Sequence, residues 1–172
     1  MDLVDVYDGH RRLTGRIHRR GDRLAKGDYI LVVCVWVSDG RGRLLLTLRA
    51  PEKLASPNAW ENSGGAALAG ETSRQAIARE LLEETGILAG EDDFLLLDTD
   101  KTSDAFYDFY FLIHPTPLEE IVLQPGETSD ARWVTIPQLE EMIHQGLVAK
   151  PIARRFRLHR ERLEKLVWAG SQ

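Results

Sequence analysis

The chain has one cysteine, Cys34, among its 172 residues, so it cannot close an internal disulfide or build a Cys-rich zinc centre. Nothing in that usage points to an oxidising compartment, and a cytoplasmic protein is the expectation. Long apolar stretches are missing too. The longest, Ile30 to Val37, falls far short of the roughly 20 residues that span a bilayer, and the opening "MDLVDVYDGH" lacks the basic-then-apolar order of a secretion signal. Positive charge is in deficit, with 22 Lys and Arg against 27 Asp and Glu and a formal net charge of −5 at pH 7. No global field therefore draws the chain to nucleic acid or an anionic membrane, and a polyanionic ligand must find local cations. The histidines, His10, His18, His114, His144 and His159, form no HExxH pair and have no Cys partners, which removes the usual zinc patterns. Repeats and low-complexity tracts are absent as well.

What is present suits one domain over residues 1–172. Hydrophobic residues make up 43% of the chain and charged residues 28%, ordinary values for a packed globular protein. Residues 1–28, punctuated by Gly9, Gly15 and Gly21, suggest an N-terminal hairpin extension. "YILVVCVWV" and "RLLLTLRA", separated by "SDGRG", read as a second hairpin at the centre of a sheet. "FLLLDT", "AFYDFYFLIH" and "ARWVTI" are further strands; in the middle one, alternation divides Phe106, Tyr107, Phe109, Tyr110 and Phe111 between core and cleft. A Gly- and Ala-rich loop, Gly64 to Gly70, precedes a helix over 73–85, with Thr72 and Gln75 in capping-box order and Gly86 as its stop. Pro137 opens a short helix, and residues 150–168 form a longer one. Its basic side chains read as a solvated face opposite Ile152, Phe156, Leu163 and Leu166. Strands interleaved with helices indicate an α/β or α+β domain.

The chemistry concentrates in "GAALAGETSRQAIARELLEETGI", Gly65 to Ile87. Glu80, Glu83 and Glu84 fall on neighbouring positions of one helix face. Like charges so placed cost an isolated helix a few tenths of a kcal/mol per pair, so a compensating partner is expected. A hard divalent cation would serve, because Mg²⁺ takes carboxylate oxygens together with waters and substrate phosphates. A solvated face with Arg79 as an ordinary ion-pair partner is the alternative. Gly65 and Gly70 have P-loop spacing, but Glu71 stands where that motif needs its lysine.

With its flanks, the segment resembles the Nudix box, Gly-x5-Glu-x7-Arg-Glu-U-x-Glu-Glu-x-Gly-U with U aliphatic. It matches at Gly65, Glu71, Arg79, Glu80, Leu81, Glu83, Glu84, Gly86 and Ile87. Coincidence on that scale arises less than roughly once per billion starts at average composition. The resemblance implies an α/β Nudix fold, an α/β/α sandwich with a mixed β-sheet and a loop-helix-loop box. It implies Mg²⁺ or Mn²⁺ held by Glu80, Glu83 and Glu84, with the Gly65 carbonyl as a further ligand and Glu71 steadying Arg79. The activity implied is attack of water on a small-molecule diphosphate, with Glu83 or Glu84 assisting deprotonation.

Beyond the box, "DVYDGHRRLTGRIHRR", "RAPEK" and "PNAWENSGG" look like the isopentenyl-diphosphate-isomerase-like branch of the same superfamily. That likeness implies that Arg49 and Lys53 face the diphosphate; a strand-end arginine and a surface lysine are the alternative. Isomerase chemistry would need a cysteine where Gly64 stands and a histidine where Ala66 stands, so hydrolysis is preferred. Cys34 lies within an apolar strand and reads as a buried small hydrophobe. Glu127, six residues before Trp133, matches an acid that in many relatives joins the metal site or acts as base. Trp60 is a candidate for stacking on substrate or for packing. A nucleotide-binding sensor without turnover, and assembly as a homodimer, stay open.

Overall fold

The computed structural model describes residues 2–169. Leu3–Tyr7 (β1) and Leu13–Arg19 (β2) pair antiparallel as a separate two-stranded ribbon. A seven-stranded mixed sheet follows, built from Ile30–Ser38 (β3), Arg43–Arg49 (β4), Trp60–Glu61 (β5), Ser63–Ala66 (β6), Leu95–Lys101 (β7), Ala105–Ile113 (β8) and Thr128–Thr135 (β9). The helices are Ser73–Thr85 (α1), Ile136–His144 (α2) and Lys150–Leu166 (α3). Among the described residues no helix is long and apolar enough to cross a membrane.

The apolar run of β3 reflects coverage on both faces, as a strand buried within a layered fold requires. Leu31, Val33, Val35 and Val37 pack against Ala76, Ile77 and Leu81 of α1. Cys34 and Trp36 point the other way, into a core completed by Leu139 of α2 and by Ile152, Phe156 and Leu163 of α3. In β8, Phe106 and Tyr110 join the α1 side while Phe109 and Phe111 join the α3 side; Tyr107, on the same side as Phe109, is only partly buried and lines a cavity. The result is an α/β/α sandwich with a mixed sheet.

Two features depart from the sequence reading. The β3–β4 hairpin is joined only at Ser38 and Leu44. Beyond that point β3 pairs parallel with β8 from Ile30 to Ser38 and antiparallel with β6 from Val32 to Val35, while β4 turns to β9. The segment read as a loop from Gly64 is therefore partly a strand. It lies so close to β3 that a Cβ at Gly64 would strike the Val33 carbonyl oxygen and come within 2.9 Å of Cys34 Cα. The position that isomerase chemistry gives to a cysteine has no room for a side chain.

Local signals set α1. Thr72 Oγ1 accepts from the Gln75 N–H at 3.2 Å, and Gln75 Oε1 accepts from the Thr72 N–H at 3.0 Å. Gly86 ends α1 with φ +73°, where other residues are strained, and its N–H reaches the Leu82 carbonyl at 2.9 Å. Ile77 and Leu81 are fully buried, each contributing about 1.5–3 kcal/mol of burial energy. That anchors the opposite, acidic face toward the cleft.

Candidate active site

The acidic face of α1 forms one wall of a cleft of about 510 Å³. Glu80, Glu83 and Glu84 line it with Arg79, facing Arg49 at the end of β4, Lys53 in the following loop and Glu127 just before β9. A second cavity of about 250 Å³ adjoins it, sharing Arg49 and Gly64, and extends past Glu61, Asn62, Tyr107 and Arg155.

Arg79 organises the acidic wall. Its Nε and Nη2 donate to the two carboxylate oxygens of Glu71 at 2.7 and 3.0 Å, and Nη2 also reaches the Ala66 carbonyl at 3.1 Å. Nη1 divides between Glu80 at 3.0 Å and Glu83 at 3.2 Å. All five donors of the guanidinium fork thus have acceptors, an arrangement that no lysine reproduces. Burial alone would raise the Glu71 carboxyl, but Arg79 and the Leu68 N–H outweigh it and hold the group below its ordinary range. The fork links the loop half of the box to its helix.

The remaining carboxylates are less compensated. Burial raises Glu80, with Arg79 opposing. Glu84 is pushed up to about 8 by burial first and then by Glu61 and Glu80, against weak support from Ser63 and from the Gly64 N–H at 3.3 Å. At neutral pH Glu84 therefore retains a proton, as a carboxyl does when like charges crowd it in a poorly solvated place. Across the cleft, Arg49 Nη1 donates to Glu61 at 2.7 Å and its Nε to the Ala55 carbonyl at 2.8 Å, while Lys53 pairs with Glu127. Burial raises Glu61, with Arg49 opposing.

This donor set suits a hard divalent cation. Glu80 and Glu84 offer carboxylate oxygens of raised proton affinity, and a cation that displaces the proton relieves their mutual repulsion. Gly65 belongs to the same cradle, because a Cβ there would strike the Glu80 carboxylate. Among the described residues no three acidic, His or Cys side chains are already drawn together as a ligand set. Arg79 is the cation interposed between Glu80 and Glu83.

The sequence candidates do not all meet here. Glu80, Glu83, Glu84, Arg79, Arg49, Lys53 and Glu127 line the cleft, Glu71 stands behind Arg79, and Gly65 lines the second cavity. Trp60 lines neither. It is buried in the core beneath α2 and α3, and Arg132 stacks on its ring at 4.7 Å, so its role is packing. Cys34 is buried and its thiol is pushed up to about 12 by that burial, which removes it as a nucleophile. Sequence reasoning missed Asp2, Arg20, Glu61 and Gln124, because nothing in their local patterns separates them from solvated polar residues.

Comparison with known proteins agrees with the geometry. The NUDIX domain family profile matches residues 28–156. An uncharacterized Nudix hydrolase of Listeria monocytogenes is 36% identical over 147 residues, covering 85% of this chain and 87% of that protein. An isopentenyl-diphosphate Delta-isomerase of an Enterobacter species is 30% identical over 110 residues, 60% of each chain, so the likeness to the isomerase is partial. In fold, the chain superposes on the crystal structure of DR0079 from Deinococcus radiodurans with a TM-score of 0.73 and 24% identity, covering 90% of this chain and 98% of the other. With the box intact on its capped helix and that family match around it, the chain belongs to the Nudix hydrolase family.

Proposed function

We propose that this Nudix pyrophosphohydrolase uses Mg²⁺ or Mn²⁺ to cleave the diphosphate linkage of a nucleoside diphosphate derivative or another small organic diphosphate. The observation that carries the reading is the cleft itself, in which Glu80, Glu83 and Glu84 stand opposite Arg49 and Lys53. Glu80, Glu83 and Glu84 would hold the cation, with Glu127 and the Gly65 carbonyl as further oxygen donors. A cation held there would supply neutralisation of phosphate charge and a lowered pKa for a bound water.

The chain's own residues supply the rest. Arg49 and Lys53 exchange their carboxylate partners Glu61 and Glu127 for substrate phosphate oxygens, to which a guanidinium binds in bidentate fashion. Releasing Lys53 also frees the Glu127 carboxylate, which already lines the cleft, to join the cation's oxygen donors. Arg79 and Glu71 keep the glutamates in register, and Glu83 or Glu84 takes the proton of the attacking water. The adjoining cavity holds the organic group, against Tyr107 and Arg155.

A screen of nucleoside triphosphates, nucleotide sugars, dinucleoside polyphosphates and isoprenoid diphosphates, each with Mg²⁺ and Mn²⁺ and scored by product mass, tests this reading. Cleavage between two phosphates in at least one class is the expected result. Tight nucleotide binding with no cleavage in any class would replace it with a sensor.

A further inference from the structure

The N-terminal ribbon does more than extend the fold. Its end reaches the catalytic cleft, where Arg20 and Asp2 form part of the wall. The ribbon is tied to the loop half of the box, since the Ala69 N–H donates to the Leu3 carbonyl at 2.8 Å and the Gly70 N–H to Asp5 Oδ2 at 2.7 Å. Val4 and Val6 are buried beneath it.

Its other end is fastened by a buried carboxylate. Arg11, held at φ +63° in the ribbon's turn, donates from Nη1 to Asp108 Oδ1 at 2.8 Å and from Nη2 to Oδ2 at 2.5 Å. Asp108 is 3% exposed, in the middle of β8. The hydroxyl of Ser73, the first residue of α1, shares Oδ2 and bonds Tyr110 Oη at 2.7 Å. One aspartate thus joins the ribbon, the central sheet and the start of the catalytic helix. A left-handed, non-glycine residue on a buried charge pair is costly, and such strain persists where the surroundings impose a position.

The cations in the cleft differ in how firmly they are held. Arg79 uses all five donors, Arg49 is bound to Glu61 at 2.7 Å and Lys53 is bound to Glu127. Arg20 reaches Asp2 only at 3.5 Å, with both side chains about half exposed, a geometry that contributes little. Of these four, Arg20 is the one whose present partner is most easily exchanged for a phosphate.

We propose that Arg20 is a substrate-binding residue that takes a phosphoryl oxygen in the cleft, and that the Arg11–Asp108 pair is the positioning device that holds the ribbon for it. The inference rests on the diphosphate reading of the same site. Imidodiphosphate, a pyrophosphate analogue with a P–N–P bridge, serves as the probe, titrated calorimetrically into the full chain with Mg²⁺. Arg20→Ala should weaken binding about tenfold, Arg20→Lys should recover most of it, and Arg16→Ala should bind as the parent does. Arg16 is the control because it removes the same charge from β2 outside the cleft, where it pairs with Asp28. Arg11→Met should lose a similar factor, and should lose nothing more once Arg20 is already alanine.

Equal binding by Arg20→Ala and the parent overturns the assignment, as does an equal loss in Arg16→Ala or no binding by the parent. Full additivity of Arg11→Met with Arg20→Ala overturns the positioning role. If Arg11→Met does not fold, the Arg20 and Arg16 variants still decide the binding role, and Asp108→Asn replaces it in the additivity test. Failure of the hydrolase reading looks different. Arg20-dependent binding of imidodiphosphate with no turnover in the substrate screen overturns hydrolysis and leaves this assignment in place.

Discussion

Replacing Arg79 by lysine tests whether the fork, rather than the charge, organises the acidic wall. Five hydrogen bonds radiate from the guanidinium to Glu71, Ala66, Glu80 and Glu83. A lysine ammonium has three donors, so at least two bonds are lost while the net charge is unchanged. Hydrogen bonds to charged groups contribute about 1.5–3 kcal/mol each, and the Glu83 bond, at a more exposed carboxylate, belongs below that range. The expected loss is about 2–3 kcal/mol. For a domain of this size that corresponds to a fall in Tm of roughly 5–10 °C. Thermal unfolding followed by circular dichroism at pH 7 without divalent cation reads it directly. Arg79→Met should fall further, because Glu71, Glu80 and Glu83 then lose the guanidinium they share, and added Mg²⁺ should restore part of that extra loss. A Tm for Arg79→Lys within a degree of the parent would refute the argument from geometry.

Glu84 predicts a pH dependence of stability without metal. Its folded-state pKa of about 8 lies above the ordinary 4.5, so the stabilisation is complete below pH 4.5 and disappears as pH rises through 8. The metal-free chain should therefore melt lower at pH 8 than at pH 5; Glu84→Gln should flatten that slope, and a parent slope of opposite sign would contradict the burial argument. In the cleavage assay, Glu83→Gln should reduce turnover by about 10²-fold or more with unchanged Tm, whereas retained turnover in the folded variant would exclude the carboxylate from the chemistry. Gly64→Cys should destabilise by about 1–3 kcal/mol, because the added Cβ meets the Val33 carbonyl, and should produce no allylic isomer from isopentenyl diphosphate. Denaturant midpoints check the first expectation and product mass with chromatography the second.

Helix α1 was readable because its determinants are local. Thr72, Gln75 and Gly86 act within one turn of the ends they cap, and the spacing of Glu80, Glu83 and Glu84 fixes their common face whatever lies beyond. The residues of the box follow the same rule, as does the apolar stripe of α3, whose Ile152, Phe156 and Leu163 are buried while Leu166 is half-buried. The break between β3 and β4 was not readable. Both runs suit a hairpin, and only competition from β6, β8 and β9 for the same backbone donors and acceptors separates them beyond Ser38.

Trp60 shows the same limit, since an aromatic before a glycine-rich turn packs inward or lines a cleft according to what covers it, and here α2 and α3 do. Asp2 and Arg20 reach the cleft from the end of the N-terminal ribbon, far from the box in sequence, while Glu61 reaches the adjoining cavity from β5, just ahead of it. Alone, the sequence determined helix α1, its caps, its acidic face and the family, all set within 23 consecutive residues. The tertiary structure decided which distant cations face that helix and which glutamate becomes hard to ionise. Those properties depend on burial and on long-range strand pairing, neither of which is encoded in local spacing.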